Sequence, residues 1–434
     1  MYILLFFFIV SVHGYGWVPL CDLNTFHFQK PNEIKVLDKH LVVWQKNGQP
    51  IVQDNHCLHR GAPLSEGYID KDSKNLRCSY HGWEFSENGN VVSIPQSLSN
   101  CSQCKFQQNT YQTHSSCNIL WVNLNDSFLP FPNHISENNH SVCDDVFVIE
   151  VPYSINILLE NLFDPAHVPF AHHKLQSSRD LASSVNSTVL TMNSSCFEVL
   201  FEDETLNDNQ YRNGTMTFYS DSHYVLNSIY PSTFIQKLHV YCVPISPFKT
   251  RIFVQNQYNN DVTEGVGYNK FFTFILNSFP RWFKHSITHT FFDSDTMLLY
   301  KQEQKLRSNN MLQNCTKTYL TPTSSDYSIH SFHKWKNKYP PKWSSFINSQ
   351  QNLFTDLKRE EIFDRYNDHT KHCTSCSAAL INIKTLQILL PFAIVFSYPY
   401  FENYSLICFG IVLYWTLELL KTHFTFRDYV HNDL

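Results

Sequence analysis

The sequence predicts an α+β protein with a small N-terminal β domain, a larger second domain and a C-terminal pair of apolar helices. Three observations lead there. At 434 residues the chain is too long for one ordinary core. Two Asn-Gly dipeptides, Asn47-Gly48 and Asn88-Gly89, each sit between short β-rich runs and read as hairpins. Near the C-terminus, Thr385–Phe401 and Tyr404–Leu420 are apolar runs that approach the length needed to cross a hydrocarbon core.

The N-terminal β domain is framed by its hairpins. Leu41-Val42-Val43-Trp44 and Pro50-Ile51-Val52 flank the first; Trp83-Glu84-Phe85 and Val91-Val92-Ser93-Ile94 flank the second. Between them lie Cys57-Leu58-His59 and Cys78-Ser79-Tyr80-His81. Gly61, Pro63, Gly67 and Gly82 mark both stretches as loops. Two chemistries use two Cys and two His. A single zinc ion takes them as a tetrahedron. A two-iron two-sulfur cluster takes both Cys on one iron and both His on the other. Zinc fingers usually place two Cys on one knuckle and two His on a helix. Here each loop supplies one of each, which favours the cluster.

A second ligand pattern follows in Glu160-Asn161-Leu162-Phe163-Asp164-Pro165-Ala166-His167-Val168-Pro169-Phe170-Ala171-His172. On a helical stretch the spacing of Asp164, His167 and His172 puts them on neighbouring faces. Two His and one carboxylate make the facial triad of non-haem iron oxygenases, which leaves positions open for dioxygen. His173 adjoins the pattern but misses its spacing. His285, His289 and the remaining His residues are expected to be surface or packing residues.

The ends and the bulk composition complete the reading. Tyr2–Val12 is almost wholly apolar and Gly14 follows, so residues 1–14 read as a signal or anchor, or as a buried start. Lys384 and Lys421 bracket the C-terminal apolar pair, and Tyr398, Tyr400, Tyr404 and Trp415 suit membrane interfaces. The break Pro399-Tyr400-Phe401-Glu402-Asn403 makes residues 380–421 a two-helix membrane anchor, with Glu418 reaching the headgroup level. Buried soluble helices or a re-entrant anchor are the alternatives. The net charge of -5 with no basic block excludes nucleic acid as an expected partner. The 35 Phe and 23 Tyr suit a large flat substrate, although AT-rich codon usage explains them as simply. Thirteen Cys in so long a chain do not make a secreted disulfide scaffold, and the sequons at Asn186 and Asn213 are expected by chance in an Asn- and Ser-rich chain. Cys101 and Cys104 read as a loop feature.

His59-Arg60-Gly61-Ala62-Pro63-Leu64 and Cys78-Ser79-Tyr80-His81-Gly82-Trp83 closely resemble the cluster loops of Rieske proteins. The second pattern resembles the Glu/Asp-x3-Asp-x2-His-x4-His run of Rieske oxygenases. The resemblance implies that Cys57, His59, Cys78 and His81 bind a 2Fe-2S cluster and that His167 and His172 bind a mononuclear Fe(II). It implies a distant carboxylate as third ligand, with Asp295 matching best and Asp293 in reserve. It makes Asp164 an electron relay that bridges a cluster His of one subunit to an iron His of the next. Trp17-Val18-Pro19-Leu20, the run Ala62–Gly67, Asp164–Pro169 and Cys373-Thr374-Ser375-Cys376 narrow the likeness to the pheophorbide a oxygenase group of plants and algae. That group includes the translocon-associated Rieske protein and, further off, chlorophyllide a oxygenase.

What the resemblance implies for the rest is definite. Residues 15–125 form the Rieske domain, residues 145–365 a helix-grip-like catalytic domain with an antiparallel sheet around a cavity, and Phe131–Cys143 the linker. The activity is a monooxygenase reaction that uses O2 on a hydrophobic ring substrate, a chlorophyll-derived tetrapyrrole first of all. Ferredoxin or another reductase supplies electrons, and a homotrimer brings the two metal centres of neighbouring chains together. Cys373 and Cys376 become a candidate redox dithiol. The location is a membrane, plastidic in a photosynthetic host. Family members carry a long plastid address that this chain, whose Rieske domain starts near residue 15, is not expected to share. Two other functions are compatible: a sterol-acting Rieske oxygenase or desaturase, and a redox-sensing electron carrier.

Overall fold

Six short strands set the frame of the N-terminal part: β1 (Trp17–Asp22), β2 (Asn32–Val36), β3 (Lys39–Lys46), β4 (Gln49–Asp54), β9 (Thr110–Ser116) and β10 (Ile119–Asn123). They pair in the order β1-β10-β9-β4-β3-β2. A four-stranded sheet of β5 (Tyr68–Ile69), β6 (Leu76–Arg77), β7 (Glu84–Phe85) and β8 (Val91–Ser93) stands beside them. This computed structural model describes residues 16–97, 105–125, 127–136, 145–206, 210–220, 222–229, 235–258, 278–308, 319–349, 356–401 and 404–431. The expected signal or anchor at 1–14, the pair Cys101 and Cys104, and Glu402-Asn403 of the expected break lie outside them, as do the side chains of Tyr398 and Tyr400.

The β3–β4 hairpin is the hinge of two cores. Asn47 and Gly48 both have positive φ, 52° and 82°, as a two-residue hairpin of the right twist requires. Because successive side chains alternate faces, Leu41 and Val43 enter one core with Trp17, Trp121 and Val122. Val42 and Trp44 enter the other, with Cys57, Cys78, Leu64 and Phe85. The cluster loops are thereby fixed to the back of a hairpin. The second hairpin differs from the first. Only Gly89 has positive φ (81°), and Ser86 N donates to Asn90 O and Gly89 N to Ser86 O, so the connection is longer than a two-residue turn; a bulge in the β7–β8 pairing at Glu84/Phe85 precedes it.

The second domain is built on one antiparallel sheet of β11 (Phe147–Val151), β12 (Val185–Met192), β13 (Cys196–Leu206), β14 (Gln210–Tyr219), β15 (His223–Ile229), β16 (Ile235–Ser246) and β17 (Lys249–Tyr258). Its order is β11-β17-β16-β15-β14-β13-β12. One face packs against α1 (Ile155–Leu162), α2 (Arg281–Ser308) and α3 (Tyr327–Lys338). Phe163, Phe197, Phe332 and Trp335 fill the contact. The chain is therefore α+β throughout.

Two expectations need adjustment. The described part of the stretch expected as linker is docked: Phe131 packs edge-on to Trp17 and Trp121, and Ile135 is fully buried. The first apolar helix, α4 (Thr374–Phe401), starts well before Thr385. Its first turns bury Cys376, Leu380 and Ile383 against Leu417 and Phe424, and hydropathy alone does not reveal a helix that is soluble at its root. The second, α5 (Tyr404–Thr422), packs along it, with Gln387 donating to Glu418 at 2.7 Å and Lys421 pairing with the same carboxylate. Both are long and apolar enough to span a bilayer, and their outer faces are bare: Val395, Phe396, Val412 and Trp415 are more than half exposed.

Candidate metal centres

The two cluster loops share one backbone design. Gly61 N donates to Cys57 O at 2.8 Å and Cys57 N to Ala62 O at 2.8 Å; Gly82 N donates to Cys78 O at 2.9 Å and Cys78 N to Trp83 O at 2.9 Å. Gly61 and Gly82 both take φ of 73°, which closes each loop over its cysteine. Cys57 and Cys78 lie buried at 2% and 1% exposure, while His59 and His81 sit at the surface. The His59 and His81 rings stand edge to face at 4.5 Å, and His59 stacks on Trp83. Burial pushes the Cys57 thiol up to about 11, with Cys78 beside it adding to the effect. A buried sulfur pair under a solvent-facing imidazole pair, His59 exposed and His81 partly so, fits a cluster with chemically different ends.

The second group is assembled from distant parts of the chain. His167 and His172 flank the helical turn Val168–Ala171, and Asp295 arrives from α2. His167 Nε2 and His172 Nε2 are 3.3 Å apart; Asp295 Oδ2 is 3.4 Å from the second and 3.9 Å from the first. The far nitrogens are both engaged. His167 Nδ1–H donates to the Asp164 carbonyl, and His172 Nδ1–H donates to Ser294 Oγ at 2.7 Å, whose own hydroxyl donates to Phe291 O. Each Nε2 lone pair is thus directed toward Asp295. Burial lowers the pKa of His172, opposed by Asp295, so its imidazole stays neutral, as a ligand must be.

Asp293 goes elsewhere. It faces Arg365, with contacts of 2.9 Å to Nε and 2.5 Å to Nη2, and His289 at 3.2 Å. Burial works to raise its carboxyl, but His289 and Arg365 prevail and hold it below the ordinary range. Asp164 caps the turn Pro165–His167 by accepting from Ala166 N at 3.0 Å. Its carboxyl is raised by burial, and within one chain only its main-chain carbonyl contacts His167.

Among the described residues a further four-membered group comes together: His285, His369, Cys373 and Cys376, all buried. His285, expected to be a surface or packing residue, is 3% exposed and belongs to this group. It is on the face of α2 one turn before His289, and only the tertiary fold brings it to the cysteines. His369, expected with the remaining His residues to be a surface or packing residue, also belongs to the group; its spacing to Cys373 and Cys376 is the one local signal that could have found it. Ser294, which orients His172, carried no sequence signal.

A sheet domain with paired Cys-His loops, followed by an antiparallel-sheet domain that gathers two His and a carboxylate, is the architecture of a Rieske-type non-haem iron oxygenase. The comparisons agree. The profile of the Rieske [2Fe-2S] domain matches residues 16–112 and that of pheophorbide a oxygenase residues 223–313. Chloroplastic pheophorbide a oxygenase of Oryza sativa subsp. japonica is 28% identical over 96% of this chain and 84% of its own. Chloroplastic flavonoid 8-hydroxylase 2 of Ocimum basilicum is 29% identical over 86% of this chain and 75% of its own. The crystal structure of dicamba monooxygenase bound to dicamba matches in fold, with a TM-score of 0.59 at 14% identity over 78% of this chain and 98% of that one. The chain thus carries a Rieske [2Fe-2S] domain and a stretch that matches pheophorbide a oxygenase, and over most of its length it is similar to oxygenases of that group. The Rieske domain implies a 2Fe-2S cluster.

Proposed function

We propose that this protein is a membrane-attached monooxygenase that inserts one oxygen atom from O2 into a hydrophobic ring compound, with a chlorophyll-derived tetrapyrrole as the substrate class. In this reading Cys57, His59, Cys78 and His81 hold the 2Fe-2S cluster, and His167, His172 and Asp295 hold a mononuclear Fe(II). With both centres loaded, their chemistry is reductive activation of O2 by electrons from a ferredoxin or similar reductase, the second oxygen leaving as water. The observation that carries the reading is the convergence of two Nε2 lone pairs and one carboxylate oxygen within 3.3–3.9 Å. An electron carrier has no use for that group. The contribution of the chain is to prepare it. Asp164 O and Ser294 Oγ hold both imidazoles in the ligating tautomer, and His172 and Asp295 are kept from bulk water while His167 stays partly accessible.

Two features support a homotrimer. His59 is exposed and His81 partly exposed, so a neighbouring chain can reach the cluster's imidazole edge. Among the described residues the Asp164 carboxyl accepts from Ala166 N and hydrogen-bonds to neither His167 nor His172, consistent with a role across a subunit boundary. Membrane attachment is supported by the two apolar helices, and a plastid location by the chloroplastic relatives.

The test is incubation of the reconstituted protein with a reductase, isotopically labelled O2 and, in separate vessels, pheophorbide a, chlorophyllide, a flavonoid and a sterol. The expected result is one labelled atom in a tetrapyrrole product. Label in the sterol or flavonoid alone would replace the substrate class. An iron content of about two per chain instead of about three would replace the oxygenase by a carrier.

A further inference from the structure

The geometry points to a single divalent, thiophilic cation of the zinc type held by His285, His369, Cys373 and Cys376, which fastens the root of the apolar hairpin to helix α2. The distances carry it. A tetrahedral ion with bonds of about 2.3 Å to sulfur and about 2.0 Å to nitrogen has edges of about 3.3 Å between nitrogens and about 3.5 Å between nitrogen and sulfur. Here His285 Nδ1 and His369 Nε2 are 3.2 Å apart. Cys376 Sγ is 3.3 Å from His369 Nε2 and 3.7 Å from His285 Nδ1, and Cys373 Sγ is 3.5 Å from His285 Nδ1. All four ligand atoms lie within 4.8 Å of one another, and both cysteines are free thiols. Such spans suit one ion and are too short for a two-iron cluster.

The surroundings are those of a metal site. The outer nitrogen of each imidazole faces an acceptor: His285 Nε2–H donates to Asp145 Oδ1 at 3.0 Å, and His369 Nδ1–H donates to Val148 O at 2.6 Å. With those protons directed outward, two bare lone pairs meet at the centre. With the two sulfurs beside them, they form the inward-facing donor set that a cation takes, each imidazole oriented by its outer acceptor. Asp145 is itself held by Arg281 at 2.7 Å and Lys284 at 3.0 Å. All four ligands are 4% exposed or less, so the site is closed, as structural zinc sites are. Binding would release the two thiol protons.

The site joins three segments. His285 lies on α2, which ten residues later supplies Asp295, about 15 Å along the axis. His369 and Cys373 precede α4, and Cys376 lies in its first turn. The ion would thus tie the membrane-facing hairpin to the helix that carries the carboxylate of the mononuclear site.

The full-length protein, isolated in detergent without added metal, should contain about one zinc per chain beyond its iron. X-ray absorption at the zinc edge should show two sulfur and two nitrogen neighbours, and replacement by Co(II) should give the visible bands of a tetrahedral thiolate site. Cys376→Ser should lose the zinc and keep its iron and its Rieske spectrum. Zinc-free protein, a Cys373–Cys376 disulfide in freshly isolated material, a non-sulfur zinc environment, or zinc unaffected by Cys376→Ser would each overturn the assignment. The native-protein measurements decide the matter even if the variant fails to fold. A shortfall in iron with zinc in place bears on the oxygenase reading alone.

Discussion

Asp293 and Asp295 stand two positions apart on α2, and about 200° of helical rotation sends them to opposite tasks. Asp295 meets His167 and His172, whereas Asp293 neutralises Arg365, which is fully buried. Asp295→Asn should therefore lose one iron per chain while the visible spectrum of the cluster and the unfolding midpoint stay unchanged. Asp293→Asn should keep that iron and lower stability by about 3–5 kcal/mol, since it leaves a buried guanidinium without its counter-charge. Iron analysis beside a urea titration separates the two, and the reverse pattern would exchange their roles. Ser294→Ala removes the group that orients His172 and should weaken iron retention about 10–100-fold in competition with a chelator. An unchanged affinity would remove Ser294 from the site.

At the scale of elements, the two glycine turns make different demands. Gly48 has open space around it, so Gly48→Ala costs only the strain of positive φ, about 1 kcal/mol. At Gly89 an added Cβ would lie 2.1 Å from Gln108 O, so the β7–β8 turn cannot keep its place against the segment at Gln108. Gly89→Ala should release the cluster, read as loss of the Rieske visible bands, where Gly48→Ala keeps them. The apolar pair makes its own demand. Exposed Ile388, Phe392, Val395 and Phe409 leave a surface that water does not favour. The full chain should remain in the membrane pellet through alkaline carbonate, and its appearance in the supernatant would make the pair a soluble or peripheral element.

Across the whole molecule, ion pairs tie the N-terminal strands to the second domain and brace its sheet. Arg281 reaches Asp22 of β1 at 2.6 Å and Asp145 at 2.7 Å, so one side chain links the Rieske domain to the helix that carries Asp295. Glu150 of β11 pairs with Arg251 at 2.6 Å and Lys249 at 2.9 Å. Burial works to raise the Glu150 carboxyl, but Arg251 and Lys249 outweigh it and hold the group at about 2. Its folded value lies below its unfolded value of 4.5, so its contribution is present above about pH 4.5 and fades as pH falls toward 2. A contribution on the order of 2–3 kcal/mol follows. Glu150→Gln should flatten the decline of the unfolding free energy from urea titrations between pH 5 and pH 3 by about 2 kcal/mol. An unaltered slope would assign acid sensitivity to other carboxylates.

Local chemistry made much of this protein legible beforehand. Asn-Gly turns, Cys-x-His loops and the His167/His172 spacing are each confined to a short stretch, and a short stretch is where φ preference, alternation and ligand spacing act. The same holds for the apolar pair, whose composition identifies it, though not for its root. The resemblance ranked Asp295 ahead of Asp293, but the physical reason is tertiary, because it depends on which face of α2 meets the turn after Asp164. Only the tertiary structure brought His285 to His369, Cys373 and Cys376, across a separation that no periodicity spans. Convergence of distant side chains on a point is set by how helices and sheets pack, and packing is decided by the whole chain at once.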